Sequence, residues 1–303
     1  MTSNEAERAS NWRGDGHAAL RAWYERALAT LSLPHDAFDV PTPFGTTHVL
    51  AVGPVTGDPI VLLHGTNANA LAWKPQLAAL GARYRVYAPD IIGSAGLSAE
   101  TRVPERGPAA GEWLAHVLKG LGLTSAHLMG ISGGSWNVLK LASVAPERVR
   151  SAVLMSPGGL MPVRLPFSLS RVPAFLALTD RLNGLTVRSA KDAQRFLALV
   201  SGPGVAHDAE TLELFAIVMR WFRNQPPPDA LPEAELRRVT APTLVLLGER
   251  EIFWDPHAVI AQAHRVLSDL RAAEIVQGAG HALATDRPAF VNERLLRFLG
   301  EAT

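Results

Sequence analysis

Gly130-Ile131-Ser132-Gly133-Gly134 stands where an apolar segment hands over to an amphipathic one. Ahead of it runs Ser125-Ala126-His127-Leu128-Met129, short and largely apolar, as a buried strand is. Behind it, Gly134 to Ala145 carries Trp136, Val138, Leu139 and Leu141 at mixed helical spacing. A Gly-x-Ser-x-Gly at a strand-to-helix junction makes a tight, strained turn. Side chains at its glycines would clash, and the serine hydroxyl is pushed out above the sheet, at the positive end of the next helix.

A serine hydroxyl is a weak nucleophile at neutral pH and needs an adjacent base. That base needs a third group to hold its tautomer. Two downstream stretches supply such groups. Thr243 to Leu247 is an apolar strand ending in Gly248-Glu249-Arg250-Glu251, and Ala273 to Val276 is a strand ending in Gly278-Ala279-Gly280-His281. Each puts a titratable residue just after a strand. In an open parallel sheet the carboxyl ends of the strands form the ligand edge, so groups far apart in sequence meet on one rim.

From Pro59 to Phe298 the chain resembles the α/β-hydrolase superfamily, in particular its carboxylesterase-like serine hydrolases. The resemblance rests on six pieces in the family's order. They are Val61-Leu62-Leu63-His64-Gly65, Tyr84 to Asp90, the turn at Ser132, Ala145-Pro146-Glu147-Arg148-Val149, Pro242 to Glu249, and Gly278 to His281. It implies a mostly parallel sheet with helices on both faces and a helical cap inserted between the sixth and seventh strands. It implies Ser132 as nucleophile and His281 as base, in the chain order serine, acid, histidine. The acid falls at Glu251, three positions after Gly248. Asp255 is a second candidate, and its other reading is a helix cap ahead of Pro256. The end of the previous strand, Met155-Ser156-Pro157-Gly158, carries no carboxylate. Backbone N–H groups of Gly133 and, through the family's His-Gly-x pattern, Thr66 would form the oxyanion hole. His64 reads as a brace for its loop, and Asp90 as a tie for the glycine-bearing loop that follows it. Asn67 and Asn69 either line the pocket or serve turns and caps. Two departures from the commonest pattern, Ile131 before the nucleophile and Gly133 after it, suggest an open, less polar floor.

The implied reaction is hydrolysis of small to medium carboxylic esters, with no cofactor and a small-molecule ester as the partner. Rival readings keep the same three residues for an amide, lactone, thioester or carbon–carbon bond, or make the chain a non-catalytic binder. Elbows of epoxide hydrolases and haloalkane dehalogenases carry Asp where this chain has Ser132.

Composition narrows the field. Hydrophobic residues make up 48%, ample for a core. The formal net charge is +1, which offers no electrostatic case for nucleic acid or an anionic membrane surface. The absence of cysteine removes disulfides and thiol catalysis. Ten histidines include no HExxH pair, so no metal site is expected. The polar, acid-bearing start from Met1 to Arg8 and the lack of a long apolar run predict a cytoplasmic protein with no membrane span. Oligomeric state is not legible.

Residues 17–31 place Leu20, Trp23, Tyr24, Ala27, Leu28 and Leu31 at helical spacing, within an N-terminal extension over 1–34. Phe38 to Pro43 and Thr46 to Val52 read as a hairpin. Strands and helices then alternate, with helices near 69–80, 106–121, 134–144, 256–267 and 287–299. The core comprises 1–156 and 237–303. Over 157–236 the alternation stops, and this stretch reads as the cap. Its helix over 190–200 groups Ala193, Phe196, Leu197 and Val200. Its helix over 209–223 groups Leu212, Phe215, Ala216, Met219 and Phe222. Trp136, Phe215 and Met219, with Asn67, are the expected substrate-binding residues of an apolar pocket. Arg164, Arg171, Arg181 and Arg188 are scattered and read as solvated.

Overall fold

The computed structural model describes residues 10–164, 189–223 and 225–301. Eight strands form one sheet: β1 (His35–Thr42), β2 (Gly45–Val52), β3 (Pro59–Leu63), β4 (Arg85–Pro89), β5 (Ala126–Ile131), β6 (Val149–Met155), β7 (Thr243–Gly248) and β8 (Leu270–Val276). Their order across the sheet is β1-β2-β4-β3-β5-β6-β7-β8. β2 runs antiparallel to both neighbours, forming the expected hairpin with β1, and the remaining pairs are parallel.

The central strands are apolar throughout because helices cover both faces. Alternate residues of one strand enter opposite cores. Ile60 and Leu62 of β3, Val153 and Met155 of β6, and Leu244 and Leu246 of β7 join one cluster. Helices Gly16–Ala29, Lys74–Leu80 and Pro288–Glu301 close that side. Val61, Leu63, Ala152, Leu154, Val245 and Leu247 join the other, under helices Ala109–Gly120, Gly133–Val144 and Pro256–Val266. Strands β1 and β8, at the sheet edges, are more exposed.

β4 lies on one side of β3 and β5 on the other. The chain leaving β3 turns to one face of the sheet, and the chain leaving β5 turns to the other. The two loops diverge and leave a crevice between the carboxyl ends of these strands. Gly65-Thr66 forms one lip of that crevice and Ser132 the other.

The connection from β6 to β7 carries helices Ala190–Val200 and Ala209–Trp221. The first buries Ala193, Leu197 and Val200, as the periodicity predicts, with Phe196 half-buried. The second differs from expectation. It buries Leu214 and Val218, continued by Phe222, and leaves Leu212, Phe215, Ala216 and Met219 half-buried. The N-terminal segment is the reason. Leu20, Trp23 and Tyr24 share a core with Leu214, Val218 and Phe222. The Trp23 indole donates to the Glu210 carbonyl at 3.0 Å, and Arg13 N–H donates to the Trp221 carbonyl at 2.8 Å. Lys74 pairs with Glu210 on the same helix. A helix apolar on two sides takes the orientation its neighbours impose. The N-terminal extension thus clamps the inserted helix as well as covering the sheet.

Among the described residues no helix is long and apolar enough to cross a membrane. No group of three His, Cys, Asp or Glu side chains among them could hold a metal ion.

Candidate active site

Ser132 sits at the apex of the turn between β5 and helix Gly133–Val144, with φ +55° and ψ −117°. Side-chain-bearing residues rarely occupy this region, so the conformation stores strain. Close packing enforces it. A Cβ on Gly134 would lie 1.9 Å from the Leu63 carbonyl oxygen, and one on Gly130 would lie 2.4 Å from the Ser135 nitrogen. The Ser132 amide donates to the Met155 carbonyl at 2.9 Å, and its own carbonyl accepts from Trp136 and Gly158 amides at 3.2 Å. The backbone is pinned on both sides while the side chain remains partly exposed.

Thr66 faces this turn. A Cβ on Gly133 would lie 3.4 Å from the Thr66 nitrogen and 2.5 Å from its hydroxyl. Among the described residues neither the Thr66 N–H nor the Gly133 N–H donates a hydrogen bond. Two adjacent unpartnered backbone donors are unusual inside a protein. They make an anion-binding corner at the positive end of a helix.

His64 is fully buried and braces this corner. Its Nδ1–H donates to the Gly65 carbonyl at 2.9 Å, and its Nε2 accepts the Ile91 amide at 2.9 Å. Burial lowers its pKa, outweighing the opposing pull of Asp90 and of the Gly65 bond, so the ring is neutral. Asp90 accepts from the amides of Ala70 (2.8 Å) and Leu97 (2.7 Å) and ties the β3 loop to the β4 loop.

On the same rim, Glu251 and His281 meet. Glu251 follows β7 and His281 follows β8, and the two strands are paired through Gly248 and Val276. Glu251 Oε2 lies 2.8 Å from His281 Nδ1, and Oε1 accepts the Phe253 amide at 2.9 Å. The Glu251 side chain is fully shielded from solvent, whereas the His281 side chain is 14% exposed. Burial by itself raises the pKa of the carboxyl. The facing His281 and the Phe253 N–H outweigh it, and the net shift is downward. Ser156, at the end of β6 with φ +41°, adds to this preference for the carboxylate, although its buried hydroxyl meets no partner at hydrogen-bond geometry. Phe253 and Trp254 flank the imidazole, their ring centroids 4.6 and 5.8 Å from it.

The imidazole is therefore held by an acid on one nitrogen, with its other nitrogen unused among the described residues. Ser132 and His281 form no hydrogen bond to each other. Such contacts are often long in unliganded proteins and tighten around substrate.

The loop carrying His281 is anchored from outside. One oxygen of Asp286 accepts the amides of Gly280 and of Gly202, both at 2.7 Å. The Ala282 amide donates to the Val200 carbonyl at 3.2 Å. Glu249 accepts the Gly278 amide at 3.0 Å. Gly248 admits the close pass of this loop, since a Cβ there would lie 2.0 Å from the Gly280 oxygen. The acid loop is anchored likewise. Arg164 donates to the carbonyls of Ile252 (3.0 Å) and Glu251 (3.1 Å), and the Trp254 indole donates to the Met161 carbonyl at 2.9 Å. Arg164 is exposed to solvent, as expected, and its guanidinium also ties down these two backbone carbonyls. Arg171, Arg181 and Arg188 lie outside the described residues.

Asp255 caps helix Pro256–Val266, accepting the Ala258 amide at 2.9 Å, and takes no part in the pair with His281. Asn69 caps the short turn Ala70–Trp73 through the Leu71 amide at 3.1 Å. An open cavity lies beside the anion-binding corner. Thr66, Gly133, Trp136, Asn137, Ile91, Ile92 and Val103 are among its walls. Of the four expected pocket residues only Trp136 lines it. Asn67, at φ +64°, turns its amide oxygen into a buried position without a partner. Phe215 packs against Phe196 within the insert, ring centroids 5.9 Å apart and tilted, and Met219 lies half-buried on the same helix. Sequence reasoning missed Phe253, Trp254, Asn137 and Asp286. Phe253 and Trp254 follow Glu251 by two and three positions, but only the folded loop brings them to the ring, and Asp286 follows His281 by five and anchors its loop.

Comparison with known proteins agrees with this architecture. The Alpha/beta hydrolase family model matches residues 60–294. The chain is 33% identical to the "Uncharacterized carboxylesterase nap" of Bacillus subtilis (strain 168), over 92% of each chain. It is 31% identical to carboxylesterase YbfK of the same organism, over 91% of this chain and 92% of that one. The crystal structure of naproxen esterase (carboxylesterase NP) from Bacillus subtilis superposes with a TM-score of 0.78 at 32% identity, covering 94% of this chain and 99% of the other. With this sheet order, this strained turn and these relatives, the chain belongs to the alpha/beta hydrolase family.

Proposed function

We propose that the protein is a serine esterase that cleaves carboxylic esters through an acyl-enzyme on Ser132. The observation that carries the reading is the buried Glu251–His281 pair, 2.8 Å apart, on the same sheet rim as a serine held at φ +55°. Relatives named as carboxylesterases, one of them a naproxen esterase, support the choice of an ester.

In this reading His281 Nε2 accepts the Ser132 proton as the hydroxyl oxygen attacks the ester carbonyl. The carbonyl electrons move onto oxygen, where the Thr66 and Gly133 N–H groups receive the charge. His281 then protonates the departing alkoxide, leaving the acyl group on Ser132. Water, deprotonated by His281, attacks the acyl carbon, and as the acyl–oxygen bond to Ser132 breaks, His281 returns that proton to the serine oxygen and the acid leaves. Glu251 holds the Nδ1–H tautomer and stabilises the imidazolium formed in each half-reaction. The chemistry requires no cofactor.

A fluorophosphonate probe tests the assignment. Covalent labelling should map to Ser132 and disappear in Ser132→Ala, with turnover of nitrophenyl esters falling by several orders of magnitude. Folded protein that neither labels nor hydrolyses any ester would instead be a binding protein on a hydrolase framework.

A further inference from the structure

The cavity beside Thr66 and Gly133 has a direction. The leaving alkoxide must receive its proton from His281, so the alcohol lies on the side of His281, Phe253 and Trp254. Neither those residues nor Ser132 itself lines the cavity, whereas Thr66 and the residue next to the serine, Gly133, both do. The cavity therefore extends from the other substituent of the carbonyl, the acyl chain.

Its walls are mostly apolar, from Ile91, Ile92, Val103 and Trp136. Ser94, Arg102, Glu105, Gln225 and Asn137 add polar groups to the lining, and of these Asn137 lies next to the Gly133 corner. It lies one helical turn beyond Gly133 and is only 6% exposed. Its Nδ2 donates to the Gly133 carbonyl at 2.9 Å, which fixes the orientation of the amide. Its Oδ1 accepts nothing among the described residues, and it is not among the atoms sealed from solvent. An amide oxygen held in a fixed orientation, open to the cavity and with neither lone pair used by the protein, can accept from a donor on whatever fills that space. Gln225 repeats the arrangement at the cavity mouth, its Nε2 donating to the Gly93 carbonyl at 2.6 Å.

We infer that this cavity receives the acyl chain and that Asn137 Oδ1 selects acyl groups bearing a hydrogen-bond donor, a hydroxyl or amide N–H a few bonds from the carbonyl. This rests on the esterase reading above.

The test compares nitrophenyl butyrate with nitrophenyl β-hydroxybutyrate, which share a leaving group. In the wild type kcat/KM for the hydroxylated ester should equal or exceed that for butyrate. Asn137→Leu should lower the ratio about fivefold, the usual weight of one neutral hydrogen bond. Equal losses on both esters would make Asn137 only a support for the Gly133 peptide and overturn the proposal. A wild type that disfavours the hydroxylated ester tenfold overturns it even if the variant does not fold. Val103→Trp supplies the second arm. It should depress turnover of nitrophenyl octanoate far more than that of octyl acetate, and the reverse order overturns the acyl assignment. Absence of turnover on every ester, with Ser132 unlabelled, would instead remove the esterase reading itself.

Discussion

Replacing Glu251 by Gln removes one charge and almost no volume. The wild-type carboxylate is fully shielded, with one oxygen 2.8 Å from His281 Nδ1 and the other on the Phe253 amide. Glutamine can keep the Phe253 bond through its oxygen. Its NH₂ then faces Nδ1, which favours the tautomer with the proton on Nε2, where Ser132 needs an acceptor. The lost stabilisation of imidazolium follows from the geometry. Charge centres about 4 Å apart at an effective dielectric of about 20 interact by about 4 kcal/mol, or roughly a thousandfold in rate. Loss of the correct tautomer carries the total toward about 10⁴. The assay is steady-state hydrolysis of nitrophenyl butyrate by folded variants matched for urea midpoint. The expected result is kcat reduced by about 10³ to 10⁴ with KM within about threefold, since the acid touches no substrate. Asp255→Asn, which preserves the cap, should leave kcat within about twofold. An E251Q enzyme within tenfold of wild type would refute the assignment of the acid.

Three further outcomes follow from the same structure. Ser132→Gly relieves the strained backbone that Ser132→Ala retains, so the glycine variant should be more stable than the alanine one by about 1 kcal/mol in urea unfolding, with both inactive. Because the folded protein holds the Glu251 pKa below its ordinary value, the unfolded chain protonates first as pH falls. The stabilisation is complete above the usual Glu range near about 4.3 and drains away as pH falls through the lower folded value. The stability gap between wild type and E251Q should narrow as pH falls below about 4. Asp286→Ala leaves the Gly280 and Gly202 amides without an acceptor and should cost about 2 kcal/mol of stability while lowering kcat more than it raises KM. Asp286→Asn, which retains an acceptor oxygen, should recover most of both losses.

Local pattern alone was enough for the strands. Apolar runs such as Pro59–Leu63 and Thr243–Gly248 have few alternatives to a sheet covered on both faces, and each titratable loop residue follows such a run directly. The turn at Ser132 was legible because close packing against Leu63 and Ser135 admits only glycine at its flanks. Asp255 and Asn69 were legible as caps because capping is set within three residues of chain.

What the chain could not announce was which apolar face meets which neighbour. Helix Ala209–Trp221 is apolar on two sides, and only the docked N-terminal segment selects Leu214, Val218 and Phe222 over Phe215 and Met219. Arg164 is the solvent-exposed cation its sequence suggested, but its two carbonyl partners on the Glu251–Ile252 loop come only from the fold. Asn137 carried no signal in the sequence, and only the fold places its amide in the cavity wall. Periodicity and caps depend on neighbours a few residues apart, so sequence determined the elements, their order and the residues at the strand ends. Side-chain contacts across tens to hundreds of residues depend on how those elements dock, so tertiary structure alone decided the cavity walls and the anchors of the loops that carry Glu251 and His281.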